Sequence, residues 1–421
     1  MDYSGKIGLI IGPVFSGKTS ELIRIINRYS YATKKCLIIK FSEESETTKK
    51  TFKTHSGYPY QALATDDLSR VVEQVKGNQI IGIDDGQFFP QIADFAEDLA
   101  NQGKVVYIAA LDGTFERKPF DCITQLIPRC ESVVKLSSVC KFCSEESSFS
   151  KRLTNDKQIK LLGGLDKYIS VCRREYFKVC CERTENHKNN INNEKENKNQ
   201  NQNKNKNKNK NKIQNNKNKN KNKINFENKK KSFQKDKNTA EYTYEGHIQL
   251  ILGPMFGGKS SELIRRTRRY SFANKKCTVI KYARDIRYSV DKCCTHDKVM
   301  MDAVPCTGKL FEVEDKVKDH DVIGIDEGQF FEDVVEFSEH MANLGKIVIV
   351  ASLDGTFERK PFGRVLELVS KAEKVIKLNA ICMVTYKDAA FSKRISQEKE
   401  VQVIGGSDKY IAVSREGYFK N

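Results

Sequence analysis

Short apolar runs alternate with stretches of helical period along the second part of the chain: IQLIL at residues 248–252, CTVIK at 277–281, DVIGID at 321–326 and IVIVA at 347–351. Each is too short for a stable helix and is continuously apolar rather than alternating, as expected of strands buried on both faces. Between them, residues 259–270 and 332–344 carry polar and apolar positions at helical spacing, and Val334, Val335, Phe337, Ser338 and Met341 give the second helix one buried face. Strand alternating with helix predicts an α/β fold around a parallel sheet.

The pattern occurs twice. GPVFSGKTSELIR, starting at Gly12, recurs as GPMFGGKSSELIR from Gly253; IIGIDDGQFF, ending at Phe89, recurs as VIGIDEGQFF ending at Phe331; LDGTFERKPF stands unchanged at 111–120 and 353–362. The offset is 241 at the first motif and 242 at the others, so one domain is present in two full-length copies, 1–181 and 241–421, with almost no internal insertion. Residues 182–240 alternate Asn and Lys with almost no apolar side chains, which predicts a disordered tether of root-mean-square span roughly 40–45 Å.

The repeat changes the meaning of the charge. The 421 residues carry a net +18, which by itself suggests an anionic partner such as nucleic acid. Residues 1–181 hold 26 Lys and Arg against 22 Asp and Glu (+4), residues 182–240 hold 18 against 6 (+12), and residues 241–421 hold 29 against 27 (+2). Most of the excess belongs to the tether, so neither repeat is a basic nucleic-acid surface. No run of 18 or more apolar residues and no basic-apolar leader is seen, so neither a membrane partner nor secretion is expected; an intracellular setting leaves the 13 cysteines as thiols or metal ligands.

Each copy holds the pattern G-x-x-x-x-G-K-[ST] between a strand and an amphipathic helix: Gly12, Gly17, Lys18 and Thr19 in the first; Gly253, Pro254, Met255, Phe256, Gly257, Gly258, Lys259 and Ser260 in the second. Glycines at this spacing let backbone N–H groups curl around phosphates at a helix N-terminus, while Lys adds charge and the hydroxyl reaches Mg²⁺. Asp84 and Asp326 end apolar strands and fit the second acidic position of such a site. The next residue, Asp85 or Glu327, sits at the sheet edge where a carboxylate accepts a proton from an attacking hydroxyl or water.

Together GPMFGGKSSEL, KYARDIRYS with CTHD, IDEGQFF, ASLDGTFERKPFG, FSKR and VIGGSDKY resemble, in order, the type II thymidine kinases, the cytosolic cellular class; the first half matches over about 5–181. The resemblance implies a P-loop NTPase-type parallel sheet with a small zinc-ribbon-like lid lobe, present twice. It also implies transfer of the ATP γ-phosphate to the 5′-hydroxyl of thymidine, with deoxyuridine as a second substrate and thymidine triphosphate as feedback inhibitor. ATP, Mg²⁺ and Zn²⁺ would be bound, subunits would self-associate, and the setting would be cytoplasmic nucleotide salvage. Carried onto the second half, Glu327 resembles the base, with Lys259 and Arg287 beside the phosphates. Asp285, Arg287, Asp326 and Gln329 resemble further members of the nucleotide site, Phe330, Leu353, Phe357 and Met255 the walls around thymine, and Val401, Gly405 and Tyr410 parts of the lid.

The copies differ where chemistry is concentrated. The first has Asp85 for Glu327, Glu44 and Glu46 for Asp285 and Arg287, and Val14 for Met255, which predicts weak binding or slow turnover there. Zinc runs the other way: Cys140, Cys143 and Cys172 match three ligands of the family's ribbon. The fourth position is Glu175, with Cys180 or Cys181 as alternatives, because structural zinc prefers sulfur and nitrogen. In the second half only Cys382 remains, with Thr385, Ser414 and Gly417 at the other places. The second half is therefore expected to catalyse and the first to be structural, supplying the contacts of a pseudo-dimer. Rival readings are a P-loop ATPase drawn to nucleic acid by the tether and a nucleotide-sensing scaffold; the near-neutral repeats argue against the first and the intact IDEGQFF against the second.

Overall fold

The computed structural model describes residues 5–43, 47–55, 57–161, 163–178, 246–283, 292–294, 300–398, 400–401, 403 and 405–420. The tether, Glu44, Glu46, Asp285, Arg287, Cys180 and Cys181 lie outside them. Both repeats belong to one compact unit, Met1–Tyr176 with Tyr244–Asn421; of the other unit, Phe177–Thr243, only Phe177 and Lys178 are among the described residues.

The first half contributes strands β1 (Lys6–Gly12), β2 (Cys36–Phe41), β3 (Thr48–Lys53), β4 (Pro59–Thr65), β5 (Ile80–Asp84), β6 (Val105–Leu111) and β7 (Ser132–Lys135), with helices α1 (Lys18–Tyr31) and α2 (Ile92–Asn101). The second half repeats them as β8 (His247–Gly253), β9 (Cys277–Tyr282), β10 (Lys292–Cys294), β11 (Met300–Cys306), β12 (Val322–Ile325), β13 (Ile347–Leu353) and β14 (Lys374–Lys377), with α3 (Lys259–Phe272) and α4 (Val334–Asn343). The buried runs of the sequence are the central strands, paired in parallel: β1 lies between β6 and β7, and β8 between β13 and β14. Helix α4 begins at Val334, two residues later than its periodicity suggests. The Asp333 carboxylate just before it accepts the N–H groups of Leu310 (3.0 Å) and Phe311 (3.1 Å) from a neighbouring turn.

The sheet is not wholly parallel. Hairpins β3–β4 and β10–β11 are antiparallel, and the two copies do not keep separate sheets. Strands β7 and β14 meet antiparallel at Val134 and Ile376, giving one fourteen-stranded sheet ordered β3-β4-β2-β5-β6-β1-β7-β14-β8-β13-β12-β9-β11-β10. On one face each half has its own apolar cluster, Ile10, Leu22, Ile26, Ile80 and Ala109 in the first and Ile251, Leu263, Val279 and Ile349 among those of the second. On the other face a single cluster runs through both halves, including Ile7, Phe89, Leu126 and Ile127 with Ile248, Phe331, Leu366 and Val375. The apolar face is thus shared, which joins the copies by the same burial that folds each of them.

Polar side chains cross this joint in near-symmetric pairs. Arg173 reaches Glu373 (2.7 Å), the Lys371 carbonyl (2.6 Å) and Asn343 (3.2 Å); Arg415 reaches Glu131 (2.8 Å), the Arg129 carbonyl (2.6 Å) and Asn101 (3.1 Å). Arg117 pairs with Glu339 and Arg359 with Glu97. Lys135, buried, bonds Asp112 of its own half (2.5 Å) and the Val369 (3.0 Å) and Ala372 (2.6 Å) carbonyls of the other. Among the described residues no helix is long and apolar enough to cross a membrane.

Removing one partner of such a buried pair strands the other charge, at a cost of about 3–5 kcal/mol. Arg173→Ala is therefore expected to lower the unfolding free energy of the full chain by about that amount, read by urea denaturation; a change within experimental error would show that the crossing pair is not buried in solution.

Candidate functional site

The phosphate loops follow from where their strands end. At Gly253, φ is +155° and a Cβ would lie 2.6 Å from the Leu378 carbonyl, so only glycine lets the chain turn off β8 beside the neighbouring strand. Gly258, at φ +75°, then opens α3. Lys259 Nζ donates to the Pro254 carbonyl (2.7 Å), and Ser260 Oγ bonds both carboxylate oxygens of Asp326 (3.0 Å each). The first half repeats this: Lys18 Nζ bonds the Pro13 carbonyl (2.6 Å) and Thr19 Oγ1 bonds Asp84 (2.9 Å).

Glu327 and Asp85 are both in the left-handed region, at φ +55° and +59°, where residues other than glycine are uncommon. The turn lifts the residue after the strand toward the loop. Gln329 then orients Glu327: its amide donates to Glu327 Oε2 (2.6 Å), while its oxygen accepts from Ser352 Oγ (2.8 Å) and the Leu353 N–H (3.0 Å) at the end of β13. Gln329, read from sequence as part of the nucleotide site, thus touches Glu327 directly.

Met255, Glu327, Gln329, Phe330, Leu353, Phe357, Val401, Gly405 and Tyr410 line one cavity of about 40 Å³. Phe330 is stacked on Tyr282 at 4.7 Å. The corresponding cavity of the first half is about 380 Å³ and extends along the phosphate loop past Gly17, Lys18 and Thr19. Of the sequence candidates, Asp285 and Arg287 fall outside the described residues.

Sequence reasoning left the two FSKR segments without a role, yet their last residue organises each lobe. Arg394 stacks on Phe357 (4.0 Å to the ring centre) and donates to Tyr410 OH (2.6 Å) and to the carbonyls of Glu398 (3.0 Å), Glu400 (2.6 Å) and Val401 (3.2 Å). Arg152 holds Phe115, Tyr168, Asp156 and Gln158 in the same way. Ser392 Oγ accepts the Met255 N–H (2.9 Å), tying the lobe to the phosphate loop. The signal was the recurrence of the tetrapeptide in both copies.

In the first lobe the ligand atoms of Cys140, Cys143 and Cys172 lie within 4.8 Å of one another, and the Cys143 and Cys172 sulfurs are 3.6 Å apart. Tetrahedral zinc–thiolate bonds place sulfurs about 3.8 Å apart, so the three fit such an ion. Burial pushes the Cys140 thiol up, but the Cys143, Cys172 and Phe142 N–H groups bring it below its ordinary value, whereas burial pushes the Cys172 thiol up to about 12. Glu175 is not in this group; Arg174 Nε bonds its carboxylate (3.1 Å). In the second lobe Thr385 Oγ1 and Ser414 Oγ, 3.0 Å apart, occupy the places of Cys143 and Cys172, and Cys382 Sγ accepts the Thr385 N–H (3.3 Å). A Cβ at Gly417, the place of Glu175, would lie 2.8 Å from that sulfur. Hydrogen bonds join these positions in the second lobe.

A phosphate loop between strand and helix, an acid bonded to its hydroxyl, and a second carboxylate at the sheet edge define a nucleotide-binding α/β protein of the P-loop class. The thymidine kinase family model matches residues 5–176 and again 246–418. The chain belongs to the thymidine kinase family and is a transferase of the kinase type. It is 59% identical over 175 residues to the cytosolic thymidine kinase of Homo sapiens (42% of this chain, 74% of that one). It is 58% identical over 177 residues to thymidine kinase 1 of Dictyostelium discoideum (41% and 78%), and 57% over 174 residues to the thymidine kinase of Sheeppox virus (41% and 97%). Each alignment spans about one copy.

Arg394 makes three of its bonds to the carbonyls of Glu398, Glu400 and Val401, so Arg394→Ala is expected to speed amide hydrogen exchange across 398–410 at least about tenfold; unchanged exchange, followed by mass spectrometry, would remove Arg394 from that role.

Proposed function

We propose that the second half transfers the γ-phosphate of ATP to the 5′-hydroxyl of thymidine, with deoxyuridine as a second substrate, in cytoplasmic nucleotide salvage. The observation that carries this is Glu327, held by Gln329 in the lining of the aromatic cavity and next in sequence to Asp326, which bonds the phosphate-loop hydroxyl. Thymine would lie between Phe330 and Phe357, its edge read by the lid backbone near Val401 and Gly405. Glu327 would take the 5′-hydroxyl proton as that oxygen attacks. Lys259 and the N–H groups of the loop would hold the β- and γ-phosphates, and Arg287 would stand beside them. Ser260 and Asp326 fit Mg²⁺, which when bound neutralises charge on those phosphates.

The first half serves mainly as the partner that a single domain would take from an identical neighbour, which the shared sheet and apolar cluster support. Zinc held by Cys140, Cys143 and Cys172 would keep its lobe folded, and two such chains would associate further. The domain boundaries proposed are 1–181, 182–240 and 241–421.

A positioned base contributes about 10²–10⁴-fold in rate. Glu327→Gln is therefore expected to abolish measurable conversion of thymidine to its monophosphate, while Asp85→Asn keeps most of it; the opposite pattern assigns catalysis to the first half. Metal analysis of purified protein is expected to give one zinc per chain, lost in Cys172→Ser. Two zinc ions per chain would contradict the reading of the second lobe.

A further inference from the structure

The first half places a different set of groups around its metal acid. Asp84 is buried and accepts three hydrogen bonds: Thr19 Oγ1 on one oxygen (2.9 Å), and Lys40 Nζ (2.8 Å) and Tyr60 OH (2.9 Å) on the other. The Lys40 ammonium also pairs with Asp85, so it lies between the two carboxylates that Mg²⁺ chemistry would use. A carboxylate offers about four lone-pair sites, and here most are taken by the protein itself. Mg²⁺ holds its water shell firmly and needs carboxylate oxygens to accept from those waters. Entering here, it would have to displace an ammonium and a phenol from a buried carboxylate.

The second half lacks one of these donors. Ile39 pairs with Leu63 and Ile280 with Val304, so β2–β4 and β9–β11 share a register and Met301 stands where Tyr60 does. Met301 packs against the apolar cluster beneath α3 and has no hydroxyl to offer. Lys281 occupies the position of Lys40 in both sequence and strand, so the difference between the halves rests on Tyr60 and on Asp85 in place of Glu327.

The first-half cavity is nevertheless built for phosphate. Lys18, Lys40, Lys53, His55 and Arg152 all line its 380 Å³, with Asp85 the one acid among its described lining residues. Phe15 sets its ring edge-on to His55 at 4.8 Å, bringing the tip of the phosphate loop and the β3–β4 hairpin together over this space. Phosphates therefore meet several cations and the N-terminus of α1, while the metal position is already filled.

We propose that the first-half pocket is a magnesium-independent binding site for a nucleoside 5′-polyphosphate, in which Tyr60 and Lys40 together occupy the acid that a metal would use and the cations lining the pocket meet the phosphates. The inference rests on the assignment of phosphoryl transfer to the second half and gives the first half a ligand of its own. Nucleotide bound there is held without being a phosphate donor, because the acid pair is already engaged by the Lys40 ammonium and, at Asp84, by the Tyr60 hydroxyl.

Equilibrium dialysis of the full chain against radiolabelled ATP, in EDTA and in excess Mg²⁺, tests it. Lys259→Ala isolates the first site and Lys18→Ala the second. The Lys259→Ala chain is expected to bind one ATP with a dissociation constant that differs by less than about threefold between the two conditions, whereas the Lys18→Ala chain should lose about tenfold or more in EDTA. Adding Tyr60→Met and Asp85→Glu to Lys259→Ala, which copies the second half, is expected to make binding magnesium-dependent. An equal, tenfold loss at both sites in EDTA overturns the proposal. So does a Lys259→Ala chain that melts like the unaltered protein and binds no ATP. Whether the unaltered chain phosphorylates thymidine is read in a separate assay, so failure of the catalytic assignment and failure of this site are told apart.

Discussion

Glu131 and Glu373 each carry two loads, and the arrangement of both halves depends on them. Each accepts the N–H of the second residue in its own half's first strand, Ile7 (2.6 Å) or Ile248 (2.7 Å), at the base of the strand that leads to the phosphate loop. Each also receives the guanidinium of the opposite half's lobe, Arg415 or Arg173. Buried ion pairs of this kind add little net stability over apolar packing, but they penalise every arrangement that leaves one charge alone. Their worth here lies in specifying one docking geometry for a shared apolar face that would tolerate others.

This exchange of braces also connects lobe and sheet. Arg173 directly follows Cys172, so the three-cysteine cluster of the first lobe sits one residue from a side chain fastened to the second half. In the second lobe the same mooring persists through Arg415 although the cysteines are replaced by a Thr385–Ser414 hydrogen bond. The clamp is present in both copies although the side chains at the cysteine positions differ, so fastening the lobe to the other half does not depend on those cysteines.

The sites tell a similar story of one backbone with two chemistries. Glu327 and Asp85 share the left-handed turn, Ser260 and Thr19 bond the equivalent acids Asp326 and Asp84, and Arg394 and Arg152 hold Tyr410 and Tyr168 through matching contacts. Much of this was legible beforehand: the phosphate motifs, the acid after each buried strand, the aromatic walls and the cysteine spacing all stand out as residue types at fixed intervals. Arg394, Ser392 and Tyr60 were not legible in the same way. Their partners are carbonyls, a hydroxyl, a carboxylate and a backbone N–H between 4 and 137 positions away, and no periodicity records such contacts.

From the sequence alone came the duplication, the strand and helix order, the two phosphate loops, the redistribution of charge into the tether and the uneven survival of cysteines. All are consequences of local pattern, where a residue's role follows from its near neighbours. Only the tertiary structure decided that two sheets would become one at Val134 and Ile376. It alone decided that each lobe would be fastened to the other half, and that Asp84 would be bonded by Tyr60. These depend on which surfaces meet after each strand is already formed: burial is nearly non-directional, and a handful of distant polar pairs selects one meeting from several that the apolar pattern permits.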